Sequence, residues 1–297
     1  MIMKQTKVTS HILAIIISVI WGTTFVSSKV LINHGLSPHE IMLLRFLIAY
    51  ICMLFFAHKR LFADNLKDEL LLVLLGVTGG SFYFMFENSA LQYTQACNVS
   101  ILISMTPLLN SLAAAAIFKS VHFTRNLFFG AVVAMAGVSM VVLNGHFALK
   151  LNPFGDVLVL LAALTWVVYG LALKELVPRY TSAFITRKVF FYGVITILPF
   201  FPIMGVPFRT DCLLDPVVMG NLLFLSILAS FIGYLVWNAV VAKLGVVVTT
   251  NYLYLNPLAT FITSIIFLQE KITLVGILGG VLILSGVYFS QKSKSNG

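Results

Sequence analysis

Charge is scarce in this sequence. Asp, Glu, Lys and Arg make up 10% of its 297 residues, where a soluble domain carries about 25%, and 60% of the chain is hydrophobic with a mean hydropathy of +1.01. This balance excludes an ordinary soluble domain and places the chain in a membrane. Cysteine is nearly absent too. The three cysteines are an odd number, with Cys52 and Cys97 in or beside apolar stretches and Cys212 in a loop, which argues against a disulfide framework or a Cys-based metal site. No basic run exceeds two residues, and the aromatic residues lie in apolar stretches rather than beside Lys or Arg, so the net charge of +9 does not describe a nucleic-acid surface.

Long apolar stretches are what the sequence has instead. Turn or charge breaks divide them into ten candidate spans near 10–32, 39–58, 69–91, 97–118, 125–144, 154–175, 185–205, 217–241, 247–268 and 272–290, each near the roughly 20 residues that a crossing helix needs. Lipid offers no partner to backbone polar groups, and the alternation of a transmembrane barrel is missing, so every span is expected to be helical. The predicted fold class is an all-α membrane protein. Lys4 and Lys7 before an apolar run resemble a signal peptide, but the run continues past Trp21 to Val30 without a small-x-small cleavage site and reads as a retained first helix.

The basic residues orient the bundle. With the N-terminus in the cytoplasm, 14 of the 19 Lys and Arg residues fall on the inner side and five on the outer, which predicts both termini inside. The loops at 145–153 and 206–215 then lie outside. The basic excess is a topological signal at the lipid headgroups.

An internal repeat organises the chain. Shifted by 150 residues, Gly76, Gly80, Asn88 and Pro107 align with Ser226, Ser230, Asn238 and Pro257; shifted by 145, Trp21 and Lys29 align with Trp166 and Lys174; shifted by 149, Gly130 and Gly137 align with Gly279 and Gly286. Two five-helix units are expected, 10–144 and 154–290. Five is odd, so the second enters the membrane from the opposite side, and inverted repeats are characteristic of secondary transporters.

Specific motifs strengthen this reading. Trp21-Gly22, Arg45-Phe46, Ala90-Leu91-x-Tyr93-Thr94-x-Ala96 and Pro107 in the first half, with Ala163-Leu164-Thr165-Trp166, Gly233-Tyr234-x-x-Trp237-Asn238, Tyr254-Leu255-Asn256-Pro257 and Leu268-Gln269-Glu270 in the second, resemble the EamA-type branch of the drug/metabolite transporter superfamily across nearly the whole chain. The resemblance implies a ten-helix carrier of the bacterial-type inner membrane, an exporter of amino acids or other small metabolites, with a central cavity lined largely by spans three, four, eight and nine. It implies a small-molecule substrate, the lipid bilayer as surroundings, protons as the candidate coupling ion, and no cofactor or nucleic acid. An uptake or drug-efflux carrier of the same fold is the alternative. One departure is Lys119-Ser120 at the end of span four, where the family commonly has an acid, as Glu270 is in the second half.

Among ten acidic residues only Glu87 sits a full turn inside an apolar span. A carboxylate there costs a few kcal/mol and normally faces a cavity or partner, which makes Glu87 the proton-coupling or substrate-amine candidate. Gly76, Gly80, Tyr83 and Glu87 share a helical face by spacing; close helix packing, with Glu87 snorkelling outward, is the competing account. Asn88 and Asn238 recur at equivalent positions and can contact substrate or staple helices. Trp166, Tyr169, Tyr234, Trp237, Asn251 and Tyr254 concentrate amphipathic groups in the second half, as cavity walls or as interfacial anchors. Pro107 and Pro257 each remove an amide donor inside a span and mark paired hinges or bends. Arg45 is the other costly charge, placed to close the outer side or to meet an anionic group.

A membrane-embedded acyltransferase or protease is the competing class. It needs a nucleophile or metal with His or paired acids at helical spacing. His11, His34, His39, His58, His122 and His146 all fall at span ends or in loops, no H-E-x-x-H or G-x-S-x-G occurs, and the deep acid stands alone. No catalytic or metal residue is expected.

Overall fold

A computed structural model of the protein describes residues 6–57, 60–93, 96–117, 124–143, 152–204, 211–268 and 274–292, so Lys119, Ser120, Gln269 and Glu270 lie outside the described residues. Ten helical spans form the bundle, and no strand occurs among the described residues. They are α1 (Lys7–Asn33), α2 (Pro38–Phe56), α3 (Leu66–Tyr93), α4 (Ala96–Ile103 with Thr106–Ile117), α5 (Arg125–Leu143), α6 (Pro153–Leu176), α7 (Ser182–Ile203), α8 (Pro216–Leu244), α9 (Val246–Thr250, Asn251–Leu255 and Asn256–Leu268) and α10 (Leu274–Lys292). Six of them, α1, α2, α3, α6, α7 and α8, are long and apolar enough as unbroken helices to cross a membrane, and they bury only 44–50% of their most apolar windows. The outward faces, with Ile12, Ile51, Phe55, Leu161, Leu164 and Leu284, stay apolar and exposed, as a helix wall against lipid requires.

Local sequence starts the helices in matched pairs. The side chains of Thr6 and Asn152 accept from the amides of Thr9 and Gly155 and begin α1 and α6. Ser37 forms a capping box with Glu40 and Thr181 accepts from the Phe184 amide, beginning α2 and α7; Asn65 and Asp215 do the same for α3 and α8. Each cap supplies a partner to an otherwise unpaired helical N–H, worth about 1 kcal/mol. The first three helices of each half thus open with the same device.

Irregularities recur in pairs as well. A π-helical stretch interrupts α3 at Val77–Ser81 and α8 at Phe224–Ile232. Helix α4 breaks at Ser104 and Met105 before Pro107, and α9 passes through a 3-10 stretch, Asn251–Leu255, before Pro257. Proline has no amide to donate and clashes with the carbonyl four residues back, so each break sits within one turn on the N-terminal side of its proline. The fold is a ten-helix repeat fold, with α5 and α10 packed together at its edge. A Cβ on Gly137 would lie 2.6 Å from the Gly279 carbonyl oxygen, and one on Gly286 would lie 2.6 Å from that of Gly130; only glycine permits this backbone approach.

One end of the bundle is braced by charge. Asp68 at the start of α3 binds Arg179 in an ion pair and accepts from the Tyr180 hydroxyl at 2.7 Å. Its neighbour Glu69 binds Lys188 and accepts from the Tyr192 hydroxyl, while Arg187 donates to the carbonyls of Ala57 and Arg60. The other end is closed by apolar packing of Leu31, Leu36, Ile41, Val218, Leu222 and Leu225.

Candidate functional site

Between these two ends lies a cavity lined by Trp21, Thr24 and Phe25 of α1, Arg45 of α2, Tyr83, Phe84 and Glu87 of α3, Ile103 and Thr106 of α4, Trp166 of α6, Tyr234 of α8, and Leu253 and Asn256 of α9. Room for water centres amounts to about 30 Å³, enough for about two ordered waters. The walls leave room for little more than water.

Aromatic rings form much of the wall. Trp21 meets Trp166 edge to face at 5.4 Å between centroids and Tyr83 lies 5.1 Å from Trp166. Behind them Tyr169 stacks on Trp166 at 4.8 Å and Trp237 packs on Trp21 at 4.7 Å. Hydrogen bonds fix the rings. The Trp21 indole donates to the Ala229 carbonyl at 2.8 Å and Tyr234 donates to the Gly79 carbonyl; both acceptors lie in the paired π-helical stretches, where the ordinary i to i−4 ladder is disturbed and carbonyls are released. Tyr169 donates to Asn238 Oδ1 at 2.6 Å, and Asn238 donates to Thr186 Oγ1 at 2.9 Å.

Polar atoms left without partners converge on the same space. Arg45 Nη1, Glu87 Oε1, Thr106 Oγ1 and Asn256 Oδ1 are all buried, unpaired and on the cavity wall. Buried polar atoms ordinarily find partners, because leaving one unmade costs about 1–3 kcal/mol; four converging on one cavity mark it as the candidate binding site. Thr106 and Asn256 are equivalent residues of the two halves, each immediately before its proline and each opening the second part of a broken helix.

The expected site residues divide into three groups. Tyr83, Glu87, Trp166 and Tyr234 line the cavity, and Glu87, 2% exposed, faces inward rather than snorkelling to the surface. Tyr169, Trp237 and Asn238 stand directly behind the lining as braces. Asn88, Asn251 and Tyr254 are buried but do not line the cavity; Tyr254 packs with Ala131, Ala134 and Ile283 between α5, α9 and α10. Gly76 and Gly80 do not share the cavity face of Tyr83 and Glu87. They abut Tyr192 and Phe46, because the π-helical stretch between Gly76 and Phe82 turns the two halves of α3 relative to one another.

Several wall residues lie outside the set that the sequence predicts. Spans one, two and six contribute alongside three, four, eight and nine. Trp21 was recoverable from the repeat, since it aligns with Trp166. Thr106 and Asn256 were recoverable from their shared place before the prolines. Phe25, Phe84, Ile103 and Leu253 carry no signal that separates them from other apolar residues.

This is the architecture of a polytopic helical membrane protein, with a small, mainly apolar cavity walled by aromatics between two halves. Comparison with known proteins places it further. The EamA-like transporter family matches residues 8–143 and again 153–291, and the chain belongs to that family. It is a multi-pass membrane transporter. It is 30% identical to an uncharacterized transporter of Archaeoglobus fulgidus, over 96% of this chain and 98% of that one. It is 28% identical to a probable terminal-alkyne amino-acid exporter of Streptantibioticus cattleyicolor, over 96% and 95% of the two chains, and 26% identical to a probable amino-acid metabolite efflux pump of Salmonella typhimurium, over 94% and 93%. A solved crystal structure, 16% identical, shares the fold with a TM-score of 0.72 over 95% of this chain and 98% of that chain.

Proposed function

We propose that this transporter exports amino acids or related small metabolites across the cytoplasmic membrane by alternating access, with both termini in the cytoplasm. The observation that carries the proposal is the narrow cavity in which four unpaired polar atoms from α2, α3, α4 and α9 meet an aromatic wall. Its position between the broken helices of the two halves supports a carrier cycle, because discontinuous helices at corresponding places of a repeat typically form the midplane binding site. The names of the relatives from Streptantibioticus cattleyicolor and Salmonella typhimurium support export of amino-acid metabolites.

In this cycle the units 10–144 and 154–290 rock against one another around the fixed site. The end braced by Asp68, Glu69, Arg179 and Lys188 closes the cytoplasmic side, and the apolar end around Leu36 and Val218 closes the outer side. Glu87 takes up a proton when the substrate leaves. The test is metabolite accumulation outside cells that overexpress the protein, compared with cells that carry the empty vector. Excess of one or more amino-acid metabolites in the first medium alone is the expected result, and identical media would refute export.

A further inference from the structure

Two ionisable side chains of opposite sign are buried in one cavity without a direct ion pair. Arg45, 1% exposed, donates its Nε to Ser230 Oγ and lies over the Phe84 ring at 4.2 Å from the centroid, while its Nη1 has no partner. Glu87, 2% exposed, leaves Oε1 without a partner. No nitrogen-oxygen approach of 4.0 Å or less joins the two side chains.

In a low-dielectric interior such charges attract strongly, and intramembrane ionisable groups ordinarily pair directly. Here the guanidinium is tethered sideways by Ser230 and Phe84, and Tyr83, one turn before Glu87, directs its hydroxyl to the carboxylate. The tethers keep a donor seat and an acceptor seat apart on the wall of one cavity. With Glu87 as the carboxylate that a bound ammonium stabilises, the two seats together are neutral. A ligand that satisfies both without adding net charge carries one negative and one positive group. A lone amine would satisfy Glu87 but add a cation beside Arg45, and a lone acid would do the reverse; either costs like-charge repulsion and an unpaired buried charge.

From this geometry we infer that the cavity selects a zwitterion, with its carboxylate on Arg45 Nη1, its ammonium on Glu87 Oε1, and its apolar group against Trp21, Trp166 and Tyr234. Thr106 Oγ1 and Asn256 Oδ1, also unpaired on the cavity wall, offer further hydrogen-bond partners to the ligand. Lipophilic cations and simple carboxylic acids are rejected by the same pair. The assignment rests on the carrier reading above, and it makes Arg45 and Glu87 joint determinants of specificity.

Binding alone tests it. Of the three tryptophans, Trp21 and Trp166 line the cavity and Trp237 packs on Trp21, so indole emission of the full chain in lipid nanodiscs reports occupancy. The probes are L-phenylalanine, phenethylamine and 3-phenylpropionate, which share a phenyl group and differ in charge, with L-leucine, 3-methylbutylamine and 4-methylpentanoate as a smaller series. In the wild type the zwitterion of at least one series should bind about tenfold or more tightly than both single-charge analogues. Arg45→Gln should move the preference to the amine, and Glu87→Gln should move it to the acid.

Equal binding of an amine or an acid in the wild type would overturn the assignment, as would a failure of both series to bind. The wild-type comparison needs no variant, so misfolding of a variant cannot hide the answer. Accumulation in the export assay with no zwitterion preference would leave the carrier reading standing and this assignment wrong. Zwitterion binding with no accumulation would do the opposite.

Discussion

The Tyr169 hydroxyl donates to Asn238 at 2.6 Å, and Asn238 passes the interaction to Thr186 at 2.9 Å, so one amide ties α6, α7 and α8 together behind the cavity. Each member is fully buried. Asn238→Leu should strand two hydroxyls at about 1–3 kcal/mol apiece and lower the melting temperature of the purified protein. Because Tyr169 supports Trp166 at 4.8 Å, ligand-induced quenching of indole emission should weaken in the same variant. Unchanged melting would show that the bonds contribute nothing net.

The pair formed by Glu69 and Lys188 makes a second case. The Lys188 side chain is 4% exposed and that of Glu69 16%, so neither charge is well hydrated. Lys188→Met should cost about 3–5 kcal/mol by leaving its partner uncompensated, whereas Glu69→Gln with Lys188→Met should recover much of the loss. Thermal unfolding of the two variants in the same detergent checks this. A double variant as unstable as the single would contradict the pairing argument.

Topology is testable at Cys212, which lies half-buried in the α7–α8 connection. With Cys52 and Cys97 replaced, a membrane-impermeant thiol reagent should label Cys212 in intact cells. Labelling only after lysis would reverse the orientation.

The breaks before Pro107 and Pro257 occupy equivalent places in the two halves. Pro107→Ala and Pro257→Ala should each restore an amide donor and shift the inward/outward balance in opposite senses, read as accessibility of cysteines introduced at the two ends of the cavity. A shift in the same sense for both would count against alternating use of the halves.

Much of this architecture was legible in the sequence because the membrane narrows the choices. Ten apolar stretches, glycine and proline positions that repeat at shifts near 150, and one deep acid lead to the ten spans and the broken helices. The π-helical stretches at Val77–Ser81 and Phe224–Ile232 were not legible. Their residues read as ordinary helix, so spacing placed Gly76 and Gly80 on the face of Glu87 when they instead meet Tyr192 and Phe46. Tyr254 and Asn251 were drawn toward the cavity by their polarity, but the 3-10 stretch that carries them buries them elsewhere. Among aromatics the sequence marks amphipathic character, and tertiary contacts decide which ring reaches the cavity.

The central claim is that substrate passes through the cavity at Glu87. Its most direct test is counterflow of the accumulated metabolite in proteoliposomes containing wild-type protein or Glu87→Gln, matched for insertion and melting temperature. The amide keeps the size of the side chain and removes the charge, so the variant should lose at least about tenfold in rate, equivalent to about 1.4 kcal/mol. Any dependence of wild-type counterflow on pH should vanish with it. A folded, inserted Glu87→Gln protein with wild-type counterflow and an unchanged pH profile would contradict the account.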